Sequence, residues 1–420
     1  MSDSGISILD LKRRNRMQIL RVIRENGPIS RVDISEALQI TRAAVTMITN
    51  EMIAQNILEE VGEMRTDSPD TRKGRRKVLL DINPTFRFAF GVYIDEESVS
   101  VGMTTLTMAT MEKRTFPIDD STTMEEILSM IGEAVPMMLK NSCLKSEHII
   151  GIGIGVMPQM WEKMGVRNAQ RSSPEFSHLE EAAEKMLGIP AFAGSAISLF
   201  AVADNHYQEH LGIPLNEVLL YAAEDAYHMA VLHQNELIDE YRRETDIADS
   251  LCVNPGGRRC EGYCSGSVKA ELTASAIGEK AAAVYDEKKT PVLYRLTNGN
   301  GKRISLVQIL TAWNEGDSAL QPLVTELLNQ FSMLLINLEQ MFFAHKISLY
   351  KFEFTQQHLE LLRSHIAALA GEEAARKIVL CRIEPRYHFA CGSAYAIQRG
   401  FFHSGGLALD SDEEEAESCE

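Results

Sequence analysis

The sequence predicts an α/β protein with more than one domain, in which a small helical unit precedes a larger body of strands and helices. Its 420 residues exceed what one compact core usually holds. Hydrophobic residues make up 45% and charged residues 24%, a composition typical of globular proteins. Helical periodicity near the N-terminus gives way to alternating apolar patterns of strands, which completes the argument for this fold class.

The opening segment and the cysteines indicate the compartment. The start, "MSDSGISILDLKRRN", lacks the apolar core of a signal peptide, and no run is long and apolar enough to span a bilayer. We therefore expect a cytoplasmic protein without a membrane partner. The chain has seven cysteines, an odd and widely scattered set, which favours reduced thiols over a disulfide framework.

The charge distribution is uneven along the chain. The net charge is −17, which argues against general nucleic-acid binding by the whole chain. Residues 1–80 nevertheless carry 14 Lys and Arg against 11 Asp and Glu, a net +3, so the other 340 residues together carry −20. Seven acids lie in residues 410–420, and we expect residues 404–420 to form an acidic disordered tail.

The first unit reads as three helices. Apolar residues recur at helical spacing over residues 11–26, with Arg and Lys on the other face, and Gly27-Pro28 ends the helix. Ser30 is a natural N-cap for a second helix over residues 31–38. After a tight connection, Thr41 caps a third helix whose inner side carries Ala44, Val45, Ile48 and Met52.

The outer side of the third helix predicts a DNA recognition helix. Its small and polar side chains allow close approach to base edges, and an arginine among them supports bidentate contacts. Two alternating segments, "ILEEVGEM" and "RKVLLDI", predict a hairpin with a basic tip over residues 65–76, which we interpret as a wing on the phosphate backbone or minor groove. A solvated hairpin is the alternative, but the order of helix pair and hairpin favours the wing. The candidate DNA-binding residues are Ser30, Arg31, Thr41, Arg42, Ala43, Thr46, Thr49, Asn50, Arg72, Lys73, Gly74, Arg75 and Arg76.

This segment resembles the DNA-binding head of the ROK family of bacterial regulators, named for repressors, open reading frames and kinases. The family pattern "ISRxxLAxxLxLSxxTVSxIVxxLxxxGLLxE…GRxxxxLxxNP" is matched by "ISRVDISEALQITRAAVTMITNEMIAQNILEE…GRRKVLLDINP". Gly74-Arg75 and the Asn83-Pro84 hinge lie in register. The resemblance implies a winged helix-turn-helix domain over residues 1–82.

The resemblance continues from about Phe86 to Phe402 and implies a two-lobed actin-like sugar-kinase fold, also called ribonuclease H-like, over residues 83–403. Lobe one would comprise about 83–203 plus 386–403, and lobe two about 204–385. The segments "IIGIGIGVMPQ" and "GIPAFAGSAISLFAV" match family strands, and "YHFACGSAYAIQRGFF" matches the last helix. The small residues of that helix permit close packing.

The positions that carry kinase chemistry in the family differ here. The first phosphate turn reads "YIDEESVS", where Glu96 and Glu97 would repel phosphates. Ser195 stands at the position of the catalytic aspartate and cannot act as a carboxylate base. A second phosphate turn reads "AAEDAYHMAVL", and Tyr350-Lys351 replaces a family Gly-Gly. We therefore expect no catalytic residue and no enzyme activity; a sugar kinase is the alternative.

The stretch "CVNPGGRRCEGYCSG" (252–266) corresponds to the family zinc loop. The Cys-x-Cys-Gly portion of that loop is missing, and Ser250 stands at the position of the ligating histidine. We expect no metal and no other cofactor. A makeshift zinc site built from Cys252, Cys260 and Cys264, with a distant histidine as the fourth ligand, stays the alternative to reduced packing thiols, because the Cys-x3-Cys spacing of Cys260 and Cys264 is within the range that zinc sites tolerate.

Together these features predict a DNA-binding transcriptional regulator of sugar metabolism, expected to be a repressor. The partners would be double-stranded DNA with an inverted-repeat operator, a second copy in a homodimer or higher homo-oligomer, and a sugar or another small molecule as effector. A protein-interaction module with a vestigial head is a further alternative. Glu224, Asp225 and His228 are candidates for binding a small ligand in the cleft, or simply a solvated turn.

Overall fold

Three separate β-sheets organise the chain, and each gathers its own helices. The computed structural model describes residues 8–64, 77–166, 176–206, 216–223, 225–238 and 247–406. None of the helices in these ranges combines the length and apolar character needed to cross a bilayer.

The N-terminal unit, here called the head, contains three helices and a small antiparallel sheet of order β1-β3-β2. Its elements are α1 (Ile8–Asn26), β1 (Ile29–Ser30), α2 (Arg31–Leu38), α3 (Arg42–Ala54), β2 (Leu58–Met64) and β3 (Lys77–Ile82). Each helix contributes apolar side chains to one core. Ile19 of α1, Ile34 of α2 and Val45 of α3 are fully buried in the same cluster. The predicted inward stripe of the third helix is confirmed at Val45, Ile48 and Met52, which are buried, while Ala44 is half-buried.

The first helix differs from the sequence expectation at two positions. Leu11 was expected in the apolar stripe but is 51% exposed, whereas Arg16 was expected on the solvated face and is 0% exposed. Burial of Arg16 is tolerated because each nitrogen of its guanidinium donates a hydrogen bond. Nε donates to the Gly405 carbonyl oxygen at 2.8 Å, Nη1 to Glu51 at 3.1 Å and Nη2 to Gln55 at 2.8 Å.

Lobe one is built on a five-stranded sheet of order β6-β5-β4-β7-β8. Its elements are β4 (Phe88–Ile94), β5 (Ser98–Thr105), β6 (Thr110–Pro117), α4 (Met124–Asn141), β7 (Ile149–Val156), α5 (Ser177–Leu187), β8 (Ala191–Ser195) and α6 (Ala196–His206). Strand β4 pairs antiparallel with β5 and parallel with β7, so Val92 lies between Val101 and Ile154. The parallel strand ends therefore lie at one edge of the sheet, where loops of the cleft begin.

The last helix, α15 (His388–Ile397), returns to lobe one and lies against its sheet. The backbones almost touch: a Cβ atom on Gly153 would lie 1.9 Å from the Gly392 carbonyl oxygen, and one on Gly91 would lie 1.9 Å from the Phe389 carbonyl oxygen. Glycine is required at these positions because any side chain would separate helix and sheet. A π-helical turn over Gln398–Phe402 then leads to the last described residues, 403–406. Ser404 is buried and the Gly405 carbonyl oxygen accepts a hydrogen bond from Arg16, so the prediction that a disordered tail begins at residue 404 is wrong.

Lobe two is built on a second five-stranded sheet, of order β11-β10-β9-β12-β13. Its elements are β9 (Glu217–Ala222), β10 (Tyr227–His233), β11 (Glu236–Leu237), α7 (Ile247–Ser250), α8 (Val268–Glu271), α9 (Ala274–Ala282), α10 (Pro291–Leu296), α11 (Leu306–Asn314), α12 (Gln321–Phe342), β12 (Lys346–Tyr350), α13 (Gln356–Ala370), α14 (Glu372–Arg376) and β13 (Ile378–Leu380). Strand β12 is parallel to both neighbours, with Ile347 opposite Val218 and Ile378. One apolar cluster continues from the head through α6 and α15 into this sheet, so the three units share a core.

Candidate nucleic-acid interface and interlobe cleft

Local side-chain caps fix the two helices of the helix-turn-helix. The Ser30 hydroxyl oxygen accepts a hydrogen bond from the Asp33 amide at 3.3 Å, and that of Thr41 accepts one from the Ala44 amide at 3.2 Å. Each such cap contributes about 1 kcal/mol. Between the helices, Gln39 adopts a left-handed conformation with φ 54°, and its amide closes α2 on the Ser35 carbonyl oxygen. Both predicted caps are confirmed.

The outer side of α3 is free of the core. Thr41, Arg42, Ala43, Thr46 and Asn50 are exposed, as predicted for a recognition helix. The Arg42 guanidinium lies 3.7 Å from Glu36 in an ion pair with both side chains largely exposed, so this contact holds it weakly. The arginine is therefore available to a DNA base.

Met47 belongs to the same exposed surface and was missed by the sequence reasoning. It is 68% exposed in the middle of α3. The signal was present in the sequence, because position 47 falls outside the buried stripe formed by positions 45, 48 and 52. An exposed methionine on a recognition helix offers an apolar contact to a thymine methyl group.

The prediction that Thr49 presents its hydroxyl to DNA is wrong. Thr49 is 0% exposed, and its hydroxyl donates to the Val45 carbonyl oxygen at 2.8 Å while accepting from Arg31 Nε at 3.1 Å. Arg31 also donates from Nη2 to the Asn50 amide oxygen and to Glu60, each at 3.1 Å. Arg31 therefore joins α2 to α3 and β2 rather than projecting freely, because its donors are used inside the head.

Ser30 is likewise buried and used inside the head as a cap. At the base of the wing, Lys77 Nζ lies 2.7 Å from Asp33 Oδ1, which fastens β3 to α2. Hydrogen bonds from Lys77 and Ser30 lower the pKa of Asp33. The wing residues Arg72, Lys73, Gly74, Arg75 and Arg76 lie outside the described residues.

The first turn of the cleft, between β4 and β5, satisfies its own amides. Asp95 Oδ1 accepts hydrogen bonds from the amides of Glu97 at 3.0 Å and Ser98 at 2.8 Å. A phosphate-binding turn needs such amides free to face the ligand. The carboxylate of Asp95 thus occupies the donors that a phosphate would require.

Ser195 ends β8 at the start of α6 and is buried. Its hydroxyl oxygen accepts from the Ile197 amide at 3.2 Å, and Ile197 itself is fully buried. The serine therefore acts as a helix-start acceptor, and no carboxylate takes part in this contact. This geometry suits a structural element better than a general base.

Aromatic side chains from both lobes meet behind these turns, and we call the set Tyr93, Phe200, Tyr221, Tyr350 and His388 the aromatic cluster. Phe200 lies at its centre, with ring centroids 4.7 Å from His388, 5.2 Å from Tyr350, 5.8 Å from Tyr93 and 6.1 Å from Tyr221. The Tyr350 hydroxyl shares a hydrogen bond with His388 Nε2. All five residues are buried, so packed rings occupy the place where the two lobes meet behind these turns.

Burial controls protonation in the aromatic cluster. It lowers the pKa of His388 to about 4, with smaller contributions from Lys351 and Lys113, and it raises the pKa of Tyr350 and Tyr93 well above their usual range. The cluster is therefore uncharged at neutral pH. Sequence reasoning identified Tyr350 as a replaced glycine but not the cluster that it joins.

Asp225 and His228 contact different parts of lobe two. Asp225 accepts hydrogen bonds from the Ser275 amide at 3.3 Å and hydroxyl at 2.6 Å, at the start of α9. His228 is buried on β10, 6.3 Å from the Tyr221 ring, so the expected solvated turn does not extend to it. Glu224 lies outside the described residues.

The cysteine-rich loop is organised by Glu271. Its carboxylate accepts from the Arg258 amide at 2.7 Å and from Asn254 Nδ2 at 3.2 Å, and it pairs with Lys280 at 2.6 Å. Burial opposes ionisation, but the hydrogen bonds from Lys280 and Arg258 hold the pKa of Glu271 below its usual value. Cys252, Cys260 and Cys264 are free thiols, and within the described ranges three or more metal-ligating side chains nowhere converge. The expectation that the protein binds no metal and no other cofactor stays a prediction.

Comparisons with known proteins agree with this architecture. A family model described as "Winged helix-turn-helix DNA-binding" matches residues 12–59. The chain is 24% identical over 201 residues to the Escherichia coli K12 DNA-binding transcriptional dual regulator NagC, a match that covers 47% of each protein. This match thus spans about half the length of that relative.

Two solved structures share the fold. A ROK family transcriptional regulator, titled a homologue of the E. coli Mlc protein, superposes with a TM-score of 0.65 at 17% identity, over 94% of this chain and 97% of that one. A ROK hexokinase from Thermus thermophilus superposes with a TM-score of 0.56 at 14% identity, over 74% of this chain and 98% of that one. The predicted fold class is confirmed. The chain thus combines a winged helix-turn-helix head with the two-lobed α/β body of the ROK fold, and its predicted resemblance to ROK family regulators is confirmed.

Proposed function

We propose that this protein is a DNA-binding transcriptional regulator that represses its target genes by occupying an operator. The observation that carries the proposal is the outer surface of α3, where Arg42, Ala43, Thr46, Met47 and Asn50 are exposed together. This surface projects from a helix whose other side is held in the head core. A rigid helix with exposed donors and methyl groups suits the major groove.

Each exposed residue offers a distinct contact to DNA. Arg42 can donate two hydrogen bonds to a guanine edge, and Asn50 can donate from its amide nitrogen while Arg31 occupies its amide oxygen. Ala43 permits close approach, and the methyl groups of Thr46 and Met47 suit thymine. The basic wing, Arg72 to Arg76, would add phosphate contacts that raise affinity without selecting sequence.

The proposed assembly is a homodimer or higher homo-oligomer. Two heads related by a two-fold axis would place their recognition helices about 34 Å apart, one turn of DNA, so the operator would be an inverted repeat. In this arrangement the body contributes subunit contacts and carries any effector site.

We also propose that the body has no sugar-kinase activity. Asp95 occupies the turn amides, Ser195 supplies no base, and the aromatic cluster fills the space behind both. The test is ATP consumption by the purified chain with a panel of hexoses, for the native protein and for Ser195→Asp. Both should remain at the no-protein rate, since restoring one carboxylate would not reopen the cleft; turnover by the native chain would refute this part.

A sugar or another small molecule is the proposed effector. Because the aromatic cluster occupies the cleft, an effector bound there would have to displace packed rings. A thermal-shift screen of sugars and sugar phosphates tests this proposal, since a ligand that binds the folded state raises its melting temperature.

The experiment for DNA binding is operator selection. The full chain is mixed with a library of randomised double-stranded DNA at low and at moderate salt, and retained DNA is sequenced after several rounds. We expect enrichment of an inverted repeat with half-site centres 10 to 11 base pairs apart, or a multiple of that spacing. Absence of any enriched sequence at both salt concentrations would contradict the proposed function.

A further inference from the structure

A cavity lies where the head meets the body. It has a volume of about 220 Å³ and is bounded by α1 on one side and by β11 and the π-helical turn after α15 on the other. The wall from α1 carries Arg14, Arg21 and Arg24; the wall from the body carries Glu236, Phe402 and His403. This junction cavity is separate from the aromatic cluster, since the two share no lining residue.

The three arginines share one face of α1. They are spaced seven and then three residues apart, which is two helical turns and then one, so their side chains follow one line along the helix. A single helix face thus aims three guanidinium groups at a cavity large enough for a small molecule.

Arg24 is the most unusual of the three. Its guanidinium stacks 4.4 Å from the Phe402 ring centroid, and its buried Nε has no hydrogen-bond partner. Within the described part of the chain, this guanidinium also forms no ion pair. Burial lowers the pKa of Arg24. A buried donor without an acceptor is costly, and structures usually supply one.

The carboxylates near the junction cavity are already engaged by other groups. Glu25 pairs with Arg21 at 3.0 Å. Glu236 accepts from His403 Nε2 at 2.7 Å and from Gln398 Nε2 at 3.2 Å. Arg14 and Arg24 thus face the cavity with no carboxylate of the described residues bonded to them. Glu25 and Glu236 lie close enough to oppose the lowering of the pKa of Arg24, but the three arginines of α1 outnumber these two carboxylates, so the cavity favours an anion.

We propose that the junction cavity is a binding site for a small oxyanion, a molecule that presents a phosphoryl or carboxylate group to Arg24 and Arg14. The planar guanidinium forks suit such groups because they donate two parallel hydrogen bonds. The volume suits an anionic group with a short attached body, smaller than a drug-sized ligand.

Two sources could supply this chemistry. A free metabolite is one. The other is the chain's own carboxylates, because the acidic residues 410–420 begin four residues after Gly406, which packs against the head core. Four residues reach at most about 14 Å when extended, so the chain is long enough to bring the carboxylate of residue 410 to α1.

A bound anion would tie α1 to the body. This consequence rests on the proposed function: because α1 packs on α2 and β3, the anion would set the position of α3 and change operator affinity. Binding itself can be measured without DNA.

The experiment is calorimetric titration of the full chain with inorganic phosphate, at constant ionic strength maintained with chloride. Two variants change the cavity: Arg24→Met, and Arg14→Gln, whose exposed position means that folding should not be disturbed. Arg259→Gln is the control, at an exposed arginine outside the cavity. A fifth protein carries Asn or Gln at all acids of residues 410–420. We expect saturable binding by the native chain and the control, about tenfold or more weaker binding in Arg24→Met, and a smaller loss in Arg14→Gln.

The tail variant separates the two sources. Tighter phosphate binding after neutralisation identifies the chain's own carboxylates as the competing occupant, whereas unchanged binding identifies a free anion; both outcomes support the site. No saturable binding to either the native chain or the tail variant overturns the proposal, as does unaltered binding in both Arg24→Met and Arg14→Gln. Phosphate binding without operator binding would refute the proposed function alone, and the reverse result would refute this site alone.

Discussion

The outer surface of α3 and the interlobe cleft differ in how far their side chains are exposed. On α3, Arg42, Thr46 and Met47 are exposed and make few contacts. In the cleft, the aromatic cluster buries rings contributed by both lobes, and Asp95 consumes the amides of the adjacent turn. The first region keeps donors and methyl groups available for a partner, while the second uses them internally. The exposed side chains that suit a binding partner therefore lie in the head, although the body has a fold that sugar kinases share.

The largest expected effect concerns the centre of the aromatic cluster. Phe200→Ala should lower the free energy of unfolding by about 3–5 kcal/mol, because it leaves a cavity among four other rings. Chemical denaturation monitored by circular dichroism measures this change. Exposed Phe343→Ala is the matched control and should change stability by less than about 0.5 kcal/mol. Equal effects of the two substitutions would mean that the cleft is not packed.

The second effect is a pH dependence carried by His388. Because its folded-state pKa is about 4 and the unfolded value is near 6.5, the unfolded chain binds more protons between these values, and stability rises with pH across that window. Lowering the pH from 7 to 4 should therefore reduce the free energy of unfolding by about 3 kcal/mol through protonation of His388.

Denaturation curves at several pH values, for the native chain and for His388→Gln, measure the contribution. His388→Gln should make the free energy of unfolding depend less on pH between pH 4 and 6.5. His233→Gln, at an exposed histidine, should leave that dependence unchanged. Parallel profiles for the native chain and His388→Gln would show that the cluster tolerates a charged imidazole.

The third effect concerns base recognition by α3. Arg42→Ala should weaken specific operator binding by about 1–3 kcal/mol and relax selectivity at one base pair. Fluorescence anisotropy with the selected operator and a scrambled duplex provides the measurement, with Arg259→Ala as control. A loss of equal size on both duplexes would assign Arg42 to the phosphate backbone instead.

The smallest effect compares two threonines three residues apart on α3. Thr49→Val should lower stability by about 1–2 kcal/mol, because it removes an acceptor for Arg31 from a buried site. Thr46→Val should leave stability nearly unchanged and alter operator selectivity. Melting temperatures and anisotropy on both variants test the pair; reversed roles would mean that DNA binding rotates α3 out of the described arrangement.

Local signals explain what the sequence could predict. Caps at Ser30 and Thr41 depend on neighbours within three residues, so both helices of the head were predictable. The error at Thr49 arose because its exposure is decided by Arg31, eighteen residues away on another helix. Helical periodicity places a residue on a face but cannot say which neighbour covers the edge of that face.

The cleft shows the same limit at longer range. Substitutions at Ser195 and Tyr350 were visible in the sequence as departures from a family pattern. The aromatic cluster was not, because its members lie between 21 and 129 residues from the next member along the chain and meet only through sheet topology. The resemblance therefore predicted that kinase residues were replaced, and the structure was needed to show what fills their place.

The contact between Arg16 and the Gly405 carbonyl oxygen has a consequence for protein engineering. The head cannot be exchanged as an independent N-terminal module, because its buried Arg16 takes one of its hydrogen-bond acceptors from the segment that follows α15. Helix α15 is pressed backbone to backbone against the lobe-one sheet, so residues 398–406 cannot shift to suit a foreign head. A chimera that carries this head on the body of a different regulator should therefore also carry residues 398–406, or the fully buried Arg16 guanidinium will lose one of its acceptors.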